Sequence, residues 1–139
     1  MRCILMAGTL LAGGLAALAT GVAIGQPGPR QAPTENRGLR YEALPSLDLT
    51  GQIEGMAGRQ FRTRRLTVEP GGYTALHDHR DRPAILYILE GVLTEHREGG
   101  DTREHRAGQA VTEPIDTRHW VENRGGVPAV LVSVDLYKP

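Results

Sequence analysis

The chain reads GGYTALHDH over residues 71–79 and GQAVTEPIDTRHWVEN over residues 108–123. Alternate residues of a β-strand project from the same face, so His77 and His79 can direct their imidazoles towards one point. A third imidazole, from His119 on a strand that returns beside them, would complete three neutral nitrogen ligands with open coordination positions. Such a set suits a catalytic or ligand-binding metal ion better than a closed structural one. The alternative for the histidine pair alone is two surface side chains on a polar strand face.

Short strands punctuated by turn residues dominate the rest of the sequence, and helix signals are scarce. The sequence predicts eight strands, over residues 61–68, 73–79, 84–89, 92–97, 102–106, 109–112, 117–121 and 129–136. Pro70-Gly71-Gly72 is expected to end the first of them, and Glu98-Gly99-Gly100-Asp101 predicts a hairpin. About eight short strands without an internal repeat are typical of a β-sandwich or a jelly-roll barrel.

The two quoted stretches resemble the two motifs of the cupin superfamily, G-x5-H-x-H-x3,4-E-x6-G and G-x5-P-x-G-x2-H-x3-N. The matching residues are Gly71, His77, His79 and Gly91 in the first motif and Gly108, Pro114, His119 and Asn123 in the second. Ala84 stands at the position of the metal-ligand glutamate, and Asp116 replaces a motif glycine. The resemblance implies an all-β protein with a single cupin (jelly-roll) β-barrel over residues 46–139. It also implies that His77, His79 and His119 are metal ligands.

The missing glutamate has consequences for the chemistry of the site. By resemblance, three neutral ligands would leave a divalent ion its full charge, so the ion would attract an anionic co-ligand or substrate and acidify a bound water. Some cupins without this glutamate are three-histidine iron dioxygenases, and others have lost the metal and only bind ligands. Glu95 and Glu113 are candidates for a substitute ligand. The implied cofactor is a divalent transition metal, with Fe2+ favoured and Zn2+, Mn2+, Ni2+ or Cu2+ as alternatives.

Two functional hypotheses of different classes follow. The first is a small-molecule metalloenzyme of dioxygenase type, an oxidoreductase with a three-histidine centre; a zinc hydroxide for hydrolysis or hydration is a variant of it. The second is a non-enzymatic cupin that binds a small ligand or a metal in an exported pathway. The predicted substrate pocket comprises Arg82, Ala84, Leu86, Ile88 and Glu113. Arg82 could anchor a carboxylate, although ordinary solvation is the alternative.

The N-terminal residues are expected to lie outside the barrel. Residues 1–25 have the layout of a signal peptide, with a membrane anchor as the alternative, and residues 26–45 are predicted to form a flexible or extended arm. The protein is therefore expected to be periplasmic or secreted, without stable membrane association after cleavage. Sixteen basic and sixteen acidic residues balance, which argues against nucleic acid as a partner. Outward-facing Tyr87 and Leu89 would suit a homodimer.

Two further histidines flank the predicted hairpin. His96 and His105 could meet on neighbouring strands and form a second metal site. The many charged residues around them favour an exposed polar hairpin instead.

Overall fold

The structure is a computed structural model that describes residues 31–139, so the predicted signal peptide lies outside the described residues. These residues form ten β-strands, which are β1 (Arg37–Ala43), β2 (Leu47–Asp48), β3 (Gln60–Tyr73), β4 (His77–Asp78), β5 (Ala84–Glu90), β6 (Val92–Arg97), β7 (Thr102–Arg106), β8 (Ala110–Glu113), β9 (Arg118–Glu122) and β10 (Ala129–Tyr137). Within residues 31–139, no helix has the length and apolar character needed to span a membrane.

Two antiparallel layers form a nearly closed jelly-roll barrel. One layer has the order β1-β3-β10-β5-β8, with β2 paired to the start of β3. The other has the order β7-β6-β9-β4. The layers are joined where Tyr73, at the end of β3, pairs with Glu122 of β9. The predicted all-β jelly-roll architecture is confirmed.

The first layer extends further than the sequence indicated. Strand β1 lies within the segment predicted as an arm, and it pairs with β3 from Ala43 opposite Arg64 to Arg37 opposite Tyr73. Strand β3 does not end at Pro70-Gly71-Gly72 but continues to Tyr73, with a register shift between Arg37 and Leu39. A Cβ on Gly72 would lie 2.9 Å from the carbonyl oxygen of Arg37. The glycine therefore permits the close approach of β1 and does not terminate the strand.

The hydrophobic core lies between the two layers. Its buried side chains are Val68, Ile88, Leu93, Ala129 and Leu131. Residues paired across neighbouring strands share a face of the sheet, so the pairing of Arg62 with Asp135, of Asp135 with Ala84 and of Ala84 with Glu113 defines one inward-facing row across four strands. Arg64, Ser133 and Leu86 form the next inward-facing row. These rows carry polar groups into one end of the barrel.

Candidate metal centre

The pairing of strands β4 and β9 brings the three motif histidines together. His77 is the direct cross-strand partner of His119. His79 lies one residue beyond β4, where its backbone N–H donates to the carbonyl of Thr117 at 3.0 Å. One potential ligand nitrogen from each histidine lies within 4.8 Å of the others. The structure thus brings the predicted ligands into one cluster, the three-histidine cluster.

The hydrogen bonds of the cluster orient the imidazoles for metal binding. The Nδ1–H of His77 donates to the carbonyl of Ala75 at 2.9 Å, and that of His79 donates to the carbonyl of Arg82 at 3.2 Å. The Nδ1–H of His119 donates to Oε1 of Glu95 at 2.7 Å. With all three protons on Nδ1, each Nε2 carries a free lone pair, which is the form in which histidine binds a metal.

Electrostatics also favour the neutral form of His77 and His79. Burial is the main cause that lowers the pKa of His79 to about 4, and the electrostatic interaction with the neighbouring His119 is the next largest. Burial likewise lowers the pKa of His77. The Nε2 atoms of His79 and His119 are 3.1 Å apart, close to the separation of about 3.0–3.4 Å expected for two ligands on an ion at about 2.1 Å. Two lone pairs at this distance repel each other, and a cation between them would turn that repulsion into attraction.

Glu113 faces two of the three imidazoles. Its Oε2 lies 3.1 Å from Nε2 of His79, and its Oε1 lies 3.3 Å from Nε2 of His119. Burial raises the pKa of Glu113 to about 7. The register pairs Glu113 directly with Ala84, the residue at the glutamate position of the first motif. A carboxylate from β8 therefore reaches the space that a longer side chain on β5 would have filled.

A second buried carboxylate, that of Glu95, accepts the hydrogen bond from Nδ1 of His119. The Glu95 side chain is 1 % exposed and accepts from His119, from Nε2 of His105 at 2.8 Å and from Nε of Arg97 at 3.0 Å. Burial alone would raise the pKa of Glu95, but the hydrogen bonds from His119 and His105 prevail and lower it to about 2. The sequence indicates Glu95 only as a candidate substitute ligand. Its contact with Nδ1 of His119 depends on the pairing of β6 with β9, which only the structure reveals.

His96 and His105 do not form a common site. His96 stacks on Trp120, with ring centroids 4.0 Å apart, and its Nε2 lies 2.8 Å from Glu122. His105 points to Glu95 on the other face of the hairpin. Among residues 31–139, the only group of three or more potential metal-binding side chains is the three-histidine cluster.

A cavity of about 260 Å³ opens beside the three-histidine cluster. Of the predicted pocket residues, Arg82, Leu86 and Glu113 line this cavity, whereas Ala84 and Ile88 do not. Ile88 is instead 1 % exposed within the hydrophobic core. The cavity wall also includes residues that the sequence did not single out for it, namely Tyr41, Arg64, Leu66, Leu131 and Ser133. Tyr41 lies on β1, a strand that the sequence does not predict, so only the structure places it in the cavity wall.

Asn123, the last residue of the second motif, has a structural role at the end of β9. Its amide Nδ2 donates to the carbonyls of Val68 at 2.9 Å and Val127 at 2.8 Å, and its Oδ1 accepts from the backbone N–H of Gly125. The side chain thus ties the end of β9 to β3 and to the turn before β10.

A jelly-roll barrel with three histidine side chains grouped in the wall of a cavity belongs to the class of β-barrels with a candidate metal site. The chain belongs to the cupin family, because residues 64–135 match the family described as Cupin domain. This match contains the whole three-histidine cluster as well as Glu95 and Glu113.

Two curated proteins are similar to the chain. It is 31 % identical over 101 residues to the tetracenomycin polyketide synthase protein TcmJ of Streptomyces glaucescens, a match that covers 73 % of this chain and 63 % of that protein. It is 30 % identical over 77 residues to a putative mannose-1-phosphate guanylyltransferase of Vibrio cholerae, covering 55 % of this chain and 16 % of that protein. The matches thus span less than two thirds of either relative.

Among solved structures, the chain resembles a predicted oxalate decarboxylase of Thermotoga maritima. The two share 20 % sequence identity with a TM-score of 0.57, and the match covers 76 % of this chain and 93 % of that one. At this level of identity, the likeness supports the fold alone.

Proposed function

We propose that the protein is a metal-dependent cupin that oxidises a small organic molecule with dioxygen, a dioxygenase-type activity. The observation that carries the proposal is the convergence of three neutral Nε2 atoms at the wall of a cavity. A divalent transition metal fits this donor set, with Fe2+ favoured and Zn2+, Mn2+, Ni2+ or Cu2+ as alternatives, because imidazole nitrogen binds all of them. The similarity to the cupin domain family supports the metal but does not identify it.

Within this proposal, Glu113 is the fourth ligand and takes the place of the glutamate that Ala84 lacks. Its carboxylate oxygens face two of the ligand nitrogens at 3.1 and 3.3 Å, which is the spacing of atoms that share an ion. Each of these nitrogens carries a lone pair, so an ionised Glu113 meets only other acceptors there. A metal ion would satisfy all of them at once.

The chain's own residues would organise the reaction. When bound, the metal supplies Lewis-acid chemistry and open coordination positions for substrate and dioxygen. Glu95 holds the proton on Nδ1 of His119 and thereby keeps Nε2 free. The apolar side chains of the cavity, such as Leu66, Leu86 and Leu131, would exclude water from the bound substrate.

The first experiment is metal analysis of the purified protein and of His77→Ala, His119→Ala and His96→Gln variants. We expect about one metal ion per wild-type chain and loss of binding in the first two variants, because each removes one of three imidazole ligands. The His96→Gln variant is the control, since His96 contacts Trp120 and Glu122 on the far side of β9. Equal metal content in all four proteins would contradict the proposed site.

The fourth ligand can be tested by moving the carboxylate between strands. Glu113→Ala should weaken Zn2+ affinity, and adding Ala84→Glu to that variant should restore it, because the Cβ atoms of directly paired residues lie about 4.5–5.5 Å apart. Zn2+ affinity is measured by competition with a chelator. Wild-type affinity in Glu113→Ala alone would show that Glu113 is not a ligand, and the three-histidine site would stand without it.

Turnover is tested by reconstituting the protein with Fe2+ without oxygen, then measuring oxygen uptake with candidate substrates. Uptake that depends on the substrate and is lost in His119→Ala supports the enzyme. A protein that retains a co-purified small molecule and consumes no oxygen would instead support a binding function.

The proposal also includes export, supported by the sequence pattern of residues 1–25, and a homodimer through the exposed side chains of Tyr87 and Leu89.

A further inference from the structure

Three arginines converge on one buried carboxylate at the end of the barrel that holds the cavity. Arg62 binds Asp135 with two hydrogen bonds, from Nε at 3.0 Å and from Nη2 at 2.6 Å. Nη2 of Arg64 lies 3.0 Å and Nη1 of Arg82 lies 3.2 Å from Oδ2 of Asp135. The Asp135 side chain is fully buried, and three guanidinium groups against one carboxylate leave two formal positive charges. We call these four residues the arginine cluster.

Two members of the arginine cluster line the same cavity as the three-histidine cluster. Arg64 and Arg82 both line that cavity beside His77 and His79. The cross-strand row runs from Arg62 through Asp135 and Ala84 to Glu113, so along it only Ala84 separates the arginine cluster from Glu113, which contacts His79 and His119. A ligand in the cavity would therefore have the metal site at one end and guanidinium groups close by.

Arg64 carries an unused donor. Its Nε is buried and has no hydrogen-bond partner among residues 31–139, although its Nη2 is bound to Asp135. A buried donor without a partner destabilises the folded protein, and an acceptor supplied by a ligand would remove that cost. Planar guanidinium groups match planar carboxylates in geometry and charge. The neighbouring wall is apolar, with Leu66, Leu86 and Leu131 among its side chains.

We propose that the cavity binds a small carboxylic acid with an apolar body, and that Arg64 and Arg82 hold its carboxylate. The cavity volume of about 260 Å³ limits this ligand to a small molecule. The inference deepens the proposed function by naming a substrate class, but carboxylate binding by the arginines does not itself require a metal. This independence allows the two proposals to be tested separately.

The test compares an acid with its neutral counterpart. Binding of 4-methylpentanoate and of 4-methylpentanamide, which share one apolar skeleton, is measured by calorimetry on chelator-treated protein and again with Zn2+ present. We expect the metal-free protein to bind the acid at least tenfold more tightly than the amide. Equal affinities in the metal-free protein would overturn the inference, even if the acid bound well with Zn2+, because the metal would then be the carboxylate's partner.

Variants assign the preference to individual arginines. Arg64→Gln and Arg82→Gln should each reduce the preference for the acid about tenfold or more. Arg65→Gln should keep it, because Arg65 neighbours Arg64 on β3, faces outward and is half-exposed. Thermal unfolding of each variant shows whether it is folded, and having two cavity variants keeps the test decisive if one of them is unstable.

Three results of these binding experiments would decide the role of the arginines, the class of the ligand and the independence from the metal centre. A preference for the acid that survives in both cavity variants would overturn the role of the arginines. Stronger competition by inorganic phosphate than by the acid would overturn the assignment to a carboxylate. A preserved preference in a protein that binds no metal would sustain this inference while refuting the proposed metal centre.

Discussion

The carboxylate behind His119 gives the sharpest prediction for the metal centre. Glu95 accepts the Nδ1–H of His119 at 2.7 Å and is ionised at neutral pH, because the hydrogen bonds from His119 and His105 outweigh burial and lower its pKa to about 2. This hydrogen bond fixes the ring orientation, holds the tautomer with a free Nε2 and makes that nitrogen a stronger donor to a metal. Glu95→Gln should therefore weaken metal binding without removing a ligand.

The magnitude follows from two separate considerations. Removing the hydrogen-bond partner of a metal-binding histidine typically costs about 10–100-fold in metal affinity, or about 1.4–2.7 kcal/mol. A hydrogen bond to a charged group contributes about 1.5–3 kcal/mol, which agrees with that range. Glutamine keeps an acceptor oxygen but loses the charge, so we expect about tenfold weaker binding for Glu95→Gln and about 100-fold for Glu95→Ala.

The assay is Zn2+ affinity by chelator competition at pH 7, combined with urea unfolding of the metal-free proteins. Glu104→Gln is the matched control, because Glu104 lies on the adjacent β7, is exposed and pairs with Arg106. The metal-free Glu95 variants should also lose stability, since Arg97 and His105 would lose a buried partner. Unchanged Zn2+ affinity in Glu95→Gln, or an equal loss in Glu104→Gln, would refute this reasoning.

Three further predictions concern stability. Burial alone would raise the pKa of Asp135, but the hydrogen bond from Arg62 and the charges of its arginines prevail and lower it. Ionised Asp135 therefore stabilises the fold at neutral pH, and this contribution is lost in acid as Asp135 becomes protonated. In the Asp135→Asn variant, the free energy of unfolding should therefore decrease less as the pH is lowered. An unchanged pH dependence would show that the ion pairs of Asp135 do not stabilise the fold. Gly91→Ala should lower the free energy of unfolding by more than about 1 kcal/mol, because its φ is +76° and a Cβ would lie 2.7 Å from the carbonyl oxygen of Pro128. Gly99→Ala, where a Cβ would meet nothing within 4 Å, should lower it less in the same urea titration. Ile88→Ala should cost about 2–5 kcal/mol in urea unfolding while leaving Zn2+ affinity within about threefold, because Ile88 packs in the core and does not line the cavity; a large loss of Zn2+ affinity in the folded variant would place it in the site after all.

The strands could be predicted where alternation and turn residues mark them clearly. The spans of β6 and β7 coincide with the predicted ones, since the turn residues Glu98-Gly99-Gly100-Asp101 mark where one strand ends and the next begins. The sequence does not predict strand β1, because the segment around it is rich in Pro, Gly and Arg and has few apolar residues. The short alternation of Leu39, Tyr41 and Ala43 becomes a strand through its pairing with β3. The sequence predicts that this strand ends before Pro70-Gly71-Gly72, whereas β3 continues to Tyr73. The difference arises because glycine within a strand and glycine in a turn give the same local signal.

The amino-acid sequence by itself determined the all-β class and the three histidines, because the spacing of alternate residues and the order of the two motifs are local properties of the chain. Only the tertiary structure decided the surroundings of those histidines. Glu113 faces them because β8 pairs with Ala84 on β5, and Arg62 meets Asp135, 73 residues later in the chain, because β3 pairs with β10. The burial and the electrostatic surroundings of side chains that are brought together in this way depend on strand register, and the packing of the whole barrel fixes that register.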